Sequence, residues 1–288
     1  MAHPLQVRAQ VLEITPVGAY SSFLLRAPGV AGRVRPGHFA AVAVGGEDSA
    51  MLLRRTFSIH RADAEQETIS LVVAERGRGT RELLRSRVGD TVDLIAPLGT
   101  AFPQPVGAMT ALFVGGGHGS APLFALAEQI TGQGGAVGFI LGASTADRLL
   151  GVDSARQLTP DVLVTTEDGS TGIKGLVTLP LAEAVKAIGA EAVYSCGPMD
   201  MLRAVTAIAT AEGARSFCAV EEAMGCGTGL CMTCVLPVVG EDGVSRFVRS
   251  CVEGPCFDGA RVRWDDIGTV PADLYGAAAD GAAQTGAR

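Results

Sequence analysis

Four cysteines, Cys226, Cys231, Cys234 and Cys251, stand in the order C-x4-C-x2-C-x16-C. That is the plant-type spacing for a [2Fe-2S] cluster, a group that needs four thiolates aimed at one point. The run 226–234 supplies three of them from a single loop. Gly225, Gly227 and Gly229 within it let the backbone take left-handed dihedrals and approach closely, so that N–H groups can face the cluster sulfurs. Cys251 then closes the site from a following segment, and a chain built around such a site is expected to move electrons.

Two other uses of the thiols compete. A structural zinc site favours paired C-x2–4-C knuckles, whereas Cys251 has no knuckle partner apart from Cys256, five residues on. Disulfides need an export route, yet residues 1–10 contain no apolar h-region, and the cysteine count of seven is odd. Reduced thiols and a cytoplasmic location follow as expectations. Cys218 lies in an apolar stretch and reads as core, while Cys256 is a weaker substitute ligand.

The chain has 288 residues, 48% of them apolar and 18% charged, enough to bury the cores of two or three domains. A net charge of −7 without a Lys/Arg cluster argues against nucleic acid as a partner. No apolar run reaches the ~18 residues of a membrane-spanning helix.

Residues 1–104 carry short alternating or apolar runs at 6–14, 20–26, 38–44, 55–60, 68–73 and 91–95, split by turns at Pro28-Gly29, Pro36-Gly37 and Gly89-Asp90. This spacing predicts a small closed antiparallel β-barrel. Near its end, Gly79 and Thr80 open a short helix, either as a phosphate-facing turn or by simple capping through Thr80.

From about residue 105 to 213, apolar strands alternate with helical segments, which predicts a parallel α/β sheet. Strands are expected at 110–114, 136–141, 161–165 and 192–195, and helices at 123–130 and 179–188. The first strand runs into Gly115-Gly116-Gly117-His118-Gly119-Ser120-Ala121-Pro122. A glycine-rich turn from strand to helix offers free N–H groups to a pyrophosphate. Position 120 is serine, so the strict G-x-G-x-x-G is not met, and a packing turn is the plainer alternative. About twenty residues on, Val137 and Gly138 stand where a ribose-binding acid would be sought, leaving NAD against NADP open. The last strand ends at Ser195-Cys196-Gly197-Pro198, where ligands bind in open α/β sheets, although Cys196 taken alone reads as a core thiol.

The third segment, 214–266, carries the cluster cysteines and two expected strands at 231–239 and 247–251. It is small, and cluster ligation would stabilise it. The Ala/Gly-rich tail, 267–288, has little to bury and is expected to be disordered.

Arg55-Thr56-Phe57-Ser58 matches the R-x-[YF]-S run of ferredoxin-reductase-like flavoproteins. There the arginine meets the flavin nucleotide's pyrophosphate, the ring lies against the isoalloxazine and the serine sits near its reactive edge. Taken with Gly77-Arg78-Gly79-Thr80, Pro97-Leu98-Gly99, the glycine turn, Glu167-Asp168-Gly169-Ser170-Thr171-Gly172, Cys196-Gly197-Pro198, Glu221-Glu222-Ala223-Met224-Gly225-Cys226-Gly227 and Glu253-Gly254-Pro255, the order of motifs resembles the electron-transfer subunit of class 1B dihydroorotate dehydrogenase over residues 7–264. His118 in the glycine turn, Thr56 and Phe57, and the additional Cys256 depart from the usual pattern.

The resemblance implies an FAD-binding barrel, an NAD-binding domain and a C-terminal [2Fe-2S] domain. FAD would be held by Arg55, Thr56, Phe57 and Ser58, with Val72, Val73, Ala74, Gly79 and Thr80 lining its ribityl and phosphate portion. NAD would be admitted by Gly116, Gly117 and Gly119, and Cys196 with Gly197 would approach the nicotinamide. It further implies an FMN-containing catalytic partner that oxidises dihydroorotate to orotate in pyrimidine biosynthesis, in a heterotetramer, with this chain not competent alone for that oxidation. Diaphorase subunits of a ferredoxin:NADP oxidoreductase, a hydrogenase or a sulfite reductase share the layout. A zinc-stabilised nucleotide-binding regulator is the alternative of another class.

Overall fold

The computed structural model describes residues 3–45 and 51–277. Half of the expected disordered tail, 278–288, lies outside them; the other half is ordered against the C-terminal hairpin, with Leu274 buried and Tyr275 N–H donating to Ser245 O (2.8 Å). Strands β1 (Leu5–Val17), β2 (Tyr20–Arg26), β3 (Phe39–Val42), β4 (Arg55–Asp63), β5 (Thr68–Ala74) and β6 (Thr91–Leu98) form a closed barrel in the order β1-β2-β5-β4-β3-β6. Period-2 alternation sends Phe23 and Leu25 of β2 and Ile69, Leu71 and Val73 of β5 into one buried core. Helix α1 (Arg78–Leu83) follows β5. The Pro36-Gly37 turn does more than reverse the chain: Gly37 has φ +96° and a Cβ there would collide with Cys256 Sγ, so this turn also seats the barrel on the C-terminal region.

The second sheet contains β7 (Thr110–Gly116), β8 (Ala136–Ala143), β9 (Val162–Thr166), β10 (Ile173–Lys174), β11 (Ala192–Cys196) and β12 (Arg215–Ala219). Their crossovers include α2 (Phe124–Gly132), α3 (Val152–Leu158), α4 (Leu181–Ile188) and α5 (Met199–Ala211). Helix α4 shows why its sequence is helical: Leu181, Ala184 and Val185 are buried, Ile188 packs beside them, and Gly189 ends the helix in the left-handed conformation. Phe139, Phe113, Tyr194 and Phe217 occupy matching register positions on β8, β7, β11 and β12. Their rings stack at 5.2, 5.4 and 5.3 Å, an aromatic ladder that follows the strand spacing.

The C-terminal segment adds a hairpin, β13 (Val235–Val239) with β14 (Ser245–Arg249), and β15 (Cys256–Asp258). Strand β15 pairs antiparallel with β12, giving the sheet order β10-β9-β8-β7-β11-β12-β15. The cluster segment is thereby hydrogen-bonded into the nucleotide-type sheet. Its first strand is shorter than the expected 231–239: Met232 has φ +60°, so residues 231–234 form a loop and the strand begins only at Val235. Its second strand is shifted, because Ser250 and Cys251 lie in the turn after Arg249.

Strand order reverses around β7. Its chain neighbour β8 lies on one side and β11 on the other, so the loops after β7 and β11 open into one crevice.

Candidate functional site

Three cavities meet at that crevice. The first, about 400 Å³, is bounded by Gly116, Gly117 and His118 after β7, by Ser144 and Arg148 after β8, by Thr165 and Glu167 at the end of β9, and by Pro198 and Met201 after β11. The second, about 230 Å³, lies between β4 and the approach to the cluster loop, with Phe57, Ser58, Val72, Gly119, Glu222 and Met224 in its wall. The third, about 450 Å³, continues along β4 past Arg55, Thr56, Ala74, Arg76 and Thr80. His118 borders all three, and Glu221 borders the first two.

The groove along β4 suits a flavin nucleotide. Arg55 lies against Gly79, where any Cβ would displace the guanidinium. A cation held at the start of a tight turn suits a phosphate. Thr80 Oγ1 accepts hydrogen bonds from the N–H groups of Arg76 (2.8 Å) and Gly77 (3.1 Å), so it both caps the turn and lines the groove. Alternation on β5 separates the expected residues. Val72 and Ala74 face the grooves, whereas Val73 between them is fully buried in the barrel core.

The first cavity suits a dinucleotide. Thr165 Oγ1 is buried without a hydrogen-bond partner among the described residues, an acceptor and donor left for a ligand. The glycines are required by close approach: a Cβ at Gly116 would stand 2.8 Å from Met201 Sδ, and one at Gly119 would stand 2.8 Å from Cys196 O. Cys196 itself is placed differently from the expectation. Its thiol is buried in the sheet core with Tyr194 and Phe217, burial pushes its pKa well up, and it is not among the side chains bordering the cavity. The Cys196-Gly197 backbone packs on the glycine turn, and it is Pro198 and Met201 that reach the cavity. Burial also raises the Glu221 carboxyl, an effect that the Arg76 charge opposes.

The four cluster cysteines come as two pairs. Cys226 Sγ accepts backbone N–H bonds from Thr228 (3.3 Å), Leu230 (3.3 Å) and Cys231 (3.4 Å). Burial raises this thiol, but the hydrogen bonds outweigh it and pull the pKa down to about 6. Cys231 is hydrogen-bonded to Thr233 and beside Cys226, and its pKa is lowered too. Cys234 and Cys251 are both buried in one cluster, and burial followed by the neighbouring Cys234 thiol pushes Cys251 up to about 12. Two thiols for each of two irons is the donor set of a [2Fe-2S] cluster, and amide N–H groups already directed at sulfur suit its charge. No group of three or more donors converges on one point among the described residues. Cys218 is core, with burial pushing its pKa up to about 12, and Cys256 sits between the barrel and the sheet, 3.7 Å from Gly37 O.

The cluster loop touches the flavin groove. Cys234 and Cys251 pack with Phe39, Ala41 and Leu98 of the barrel. A Cβ at Gly227 would stand 3.3 Å from Thr56 Cγ2, and Met224, two residues before Cys226, lines both β4 cavities.

The sequence reading did not single out Arg76, Glu221 as a wall residue, Tyr20 or Arg148. Only tertiary contact joins them, so no local spacing marks them.

Comparison with known proteins agrees with this geometry. The family model for the iron-sulfur cluster binding domain of dihydroorotate dehydrogenase B matches residues 221–263. The chain is 37% identical over 226 residues to the dihydroorotate dehydrogenase B (NAD(+)) electron transfer subunit of Shouchella clausii, covering 77% of this chain and 84% of the relative. It is 35% identical over 224 residues to the subunit of the same name from Bacillus cereus (strain Q1), with the same coverage. Among solved structures, that of an NADH-dependent reduced ferredoxin-NADP oxidoreductase superposes with a TM-score of 0.75 at 28% identity, covering 90% of this chain and 91% of the other. Phthalate dioxygenase reductase shares the fold, with a TM-score of 0.58 at 19% identity over 85% of this chain and 77% of its own. From the thiol spacing, the contiguous cavities and these likenesses together, the chain belongs to the dihydroorotate dehydrogenase B electron-transfer subunit family.

Proposed function

We propose that this chain carries electrons between NAD and a separate FMN-containing subunit that converts dihydroorotate to orotate. The observation that supports it most is continuity: nucleotide cavity, flavin groove and cluster loop share walls at His118, Glu221, Met224 and Thr56. A flavin bound along β4 supplies the conversion between two-electron chemistry at a nicotinamide and one-electron chemistry at an iron-sulfur cluster.

The chain's own residues arrange that exchange. Arg55, braced against Gly79, fixes the flavin's phosphates, while Phe57 and Val72 present apolar surface to its ring system and Ser58 offers a hydroxyl to its edge. Gly116 and Gly117 let the dinucleotide approach the backbone. Cys226, Cys231, Cys234 and Cys251 would hold the cluster, and the Thr228, Leu230 and Cys231 amides, already bonded to Cys226 Sγ, would stabilise the sulfur charge.

Two apolar side chains stand exposed at the cluster loop. Leu230 and Met232, which flank Cys231, are 83% and 53% exposed. Such side chains around an exposed ligand suit burial against a partner, so the cluster face is the proposed docking face for the catalytic subunit. A heterotetramer and a cytoplasmic location complete the proposal; among the described residues no helix is long and apolar enough to cross a membrane.

No residues of this chain are assigned to the oxidation of dihydroorotate. The flavin- and cluster-loaded chain alone should therefore reduce ferricyanide with NADH and form no orotate from dihydroorotate. Orotate formation by the isolated chain at a physiological rate would refute this division of labour.

A further inference from the structure

His118 occupies the one turn where all three cavities adjoin. Hydride exchange requires the nicotinamide to lie within about 3–3.5 Å of its reaction partner. The redox end of the dinucleotide must therefore sit at the wall between the first cavity and the Phe57/Ser58 cavity. The ionisable side chains common to both are His118 and Glu221.

The imidazole is prepared for a ligand in three respects. It stacks on Tyr20, with ring centroids 5.8 Å apart and planes 15° from parallel. Tyr20 is itself fixed, because its hydroxyl donates to Arg148 O at 2.8 Å. Gly117, at φ +57°, leaves room for that hydroxyl, 3.2 Å from where a Cβ would be. Both imidazole nitrogens are without a hydrogen-bond partner among the described residues, so one donor and one acceptor remain for a bound molecule.

We propose that His118, held by the Tyr20 stack, binds the nicotinamide end of the dinucleotide and sets its position against the flavin groove. A carboxamide, with its own donor and acceptor, is the matching group. Burial, then the charges of Arg76 and Arg148, push the His118 pKa down to about 4, so the ring is neutral at working pH and presents both functions.

The inference rests on the reading of this chain as an NADH-linked electron carrier. Its test uses the full chain carrying flavin and cluster, with NADH-driven ferricyanide reduction and with ADP-ribose, which lacks nicotinamide, as the binding probe. His118→Leu should raise KM for NADH about tenfold. His118→Gln, which keeps a donor and an acceptor, should recover to within about threefold of wild type. ADP-ribose should bind both variants within about twofold of wild type. A His118→Leu chain with unchanged KM and kcat, with ADP-ribose weakened as much as NADH, or with its flavin absorbance lost would overturn the proposal. A wild-type chain with no NADH-driven reduction would instead overturn the underlying reading.

Discussion

Replacing Cys231 with serine should lower dihydroorotate-dependent NAD reduction by the assembled enzyme at least about a hundredfold, while NADH still reduces ferricyanide through the flavin. Cys231 is exposed at the outer edge of its pair, and its loss leaves Cys226 without the partner on that side. The flavin groove should survive because its walls include β4, β5, Arg76, Thr80, the His118 turn and residues 221–224, and Cys231 borders neither of its cavities. A stopped-flow comparison of the two half-reactions, with visible spectra to follow flavin and cluster content, separates the effects. An unaffected coupled rate would remove the cluster from the electron path.

The second large effect is expected at Arg55. Arg55→Ala removes the cation braced on Gly79, and hydrogen bonds to charged groups contribute about 1.5–3 kcal/mol. Flavin affinity should fall roughly 10- to 150-fold, read as fluorescence of released flavin on dilution. Arg55→Lys should recover only part of it, because a single ammonium does not reproduce the planar fork. The Arg55 side chain now donates to Leu53 O (2.6 Å) and Arg54 O (3.3 Å), contacts that orient the guanidinium without neutralising it. Full flavin retention in Arg55→Ala would contradict the placement of the phosphates.

Local spacing made much of this molecule legible. Residues 20–26 read as a strand because a short run there ends at the Pro28-Gly29 turn, and β2 spans those residues. The cysteine ligands are close in sequence, so their convergence is nearly a local property. The rest was decided by distant contacts. Strand β15 is only three residues long, and nothing in Cys256–Asp258 announces that its partner is β12. The resemblance put Val73 in the groove together with Val72 and Ala74; only the barrel's closure shows which face of β5 is inside. Cys196 stands at the productive end of its strand, yet β11 is central and its thiol is taken up by the core. His118 could be seen as unusual in the glycine turn, but its position at three cavity walls depends on Tyr20 from another domain.

The interdomain contacts also explain why the relay is fixed in place. The β1–β2 turn binds the loop after β8 through Ala19 N–H to Asp147 O (2.7 Å) and through Tyr20 to Arg148 O. The segment after Cys251 is tied to the end of the barrel by Thr100 N–H to Gly254 O (2.5 Å) and by Thr100 Oγ1 to Val252 O (3.0 Å). Nucleotide turn, flavin strand and cluster loop are thus each anchored to a neighbour, which limits the loss of geometry between electron-carrying sites.

The central claim is that this chain links NAD to dihydroorotate oxidation carried out elsewhere. Co-expression with an FMN-containing dihydroorotate dehydrogenase catalytic chain, followed by an assay of NADH formation from dihydroorotate and NAD, tests it most directly. The account predicts NADH formation by the pair and none by either chain alone. A co-purified, flavin- and cluster-loaded pair that oxidises dihydroorotate without reducing NAD would contradict it.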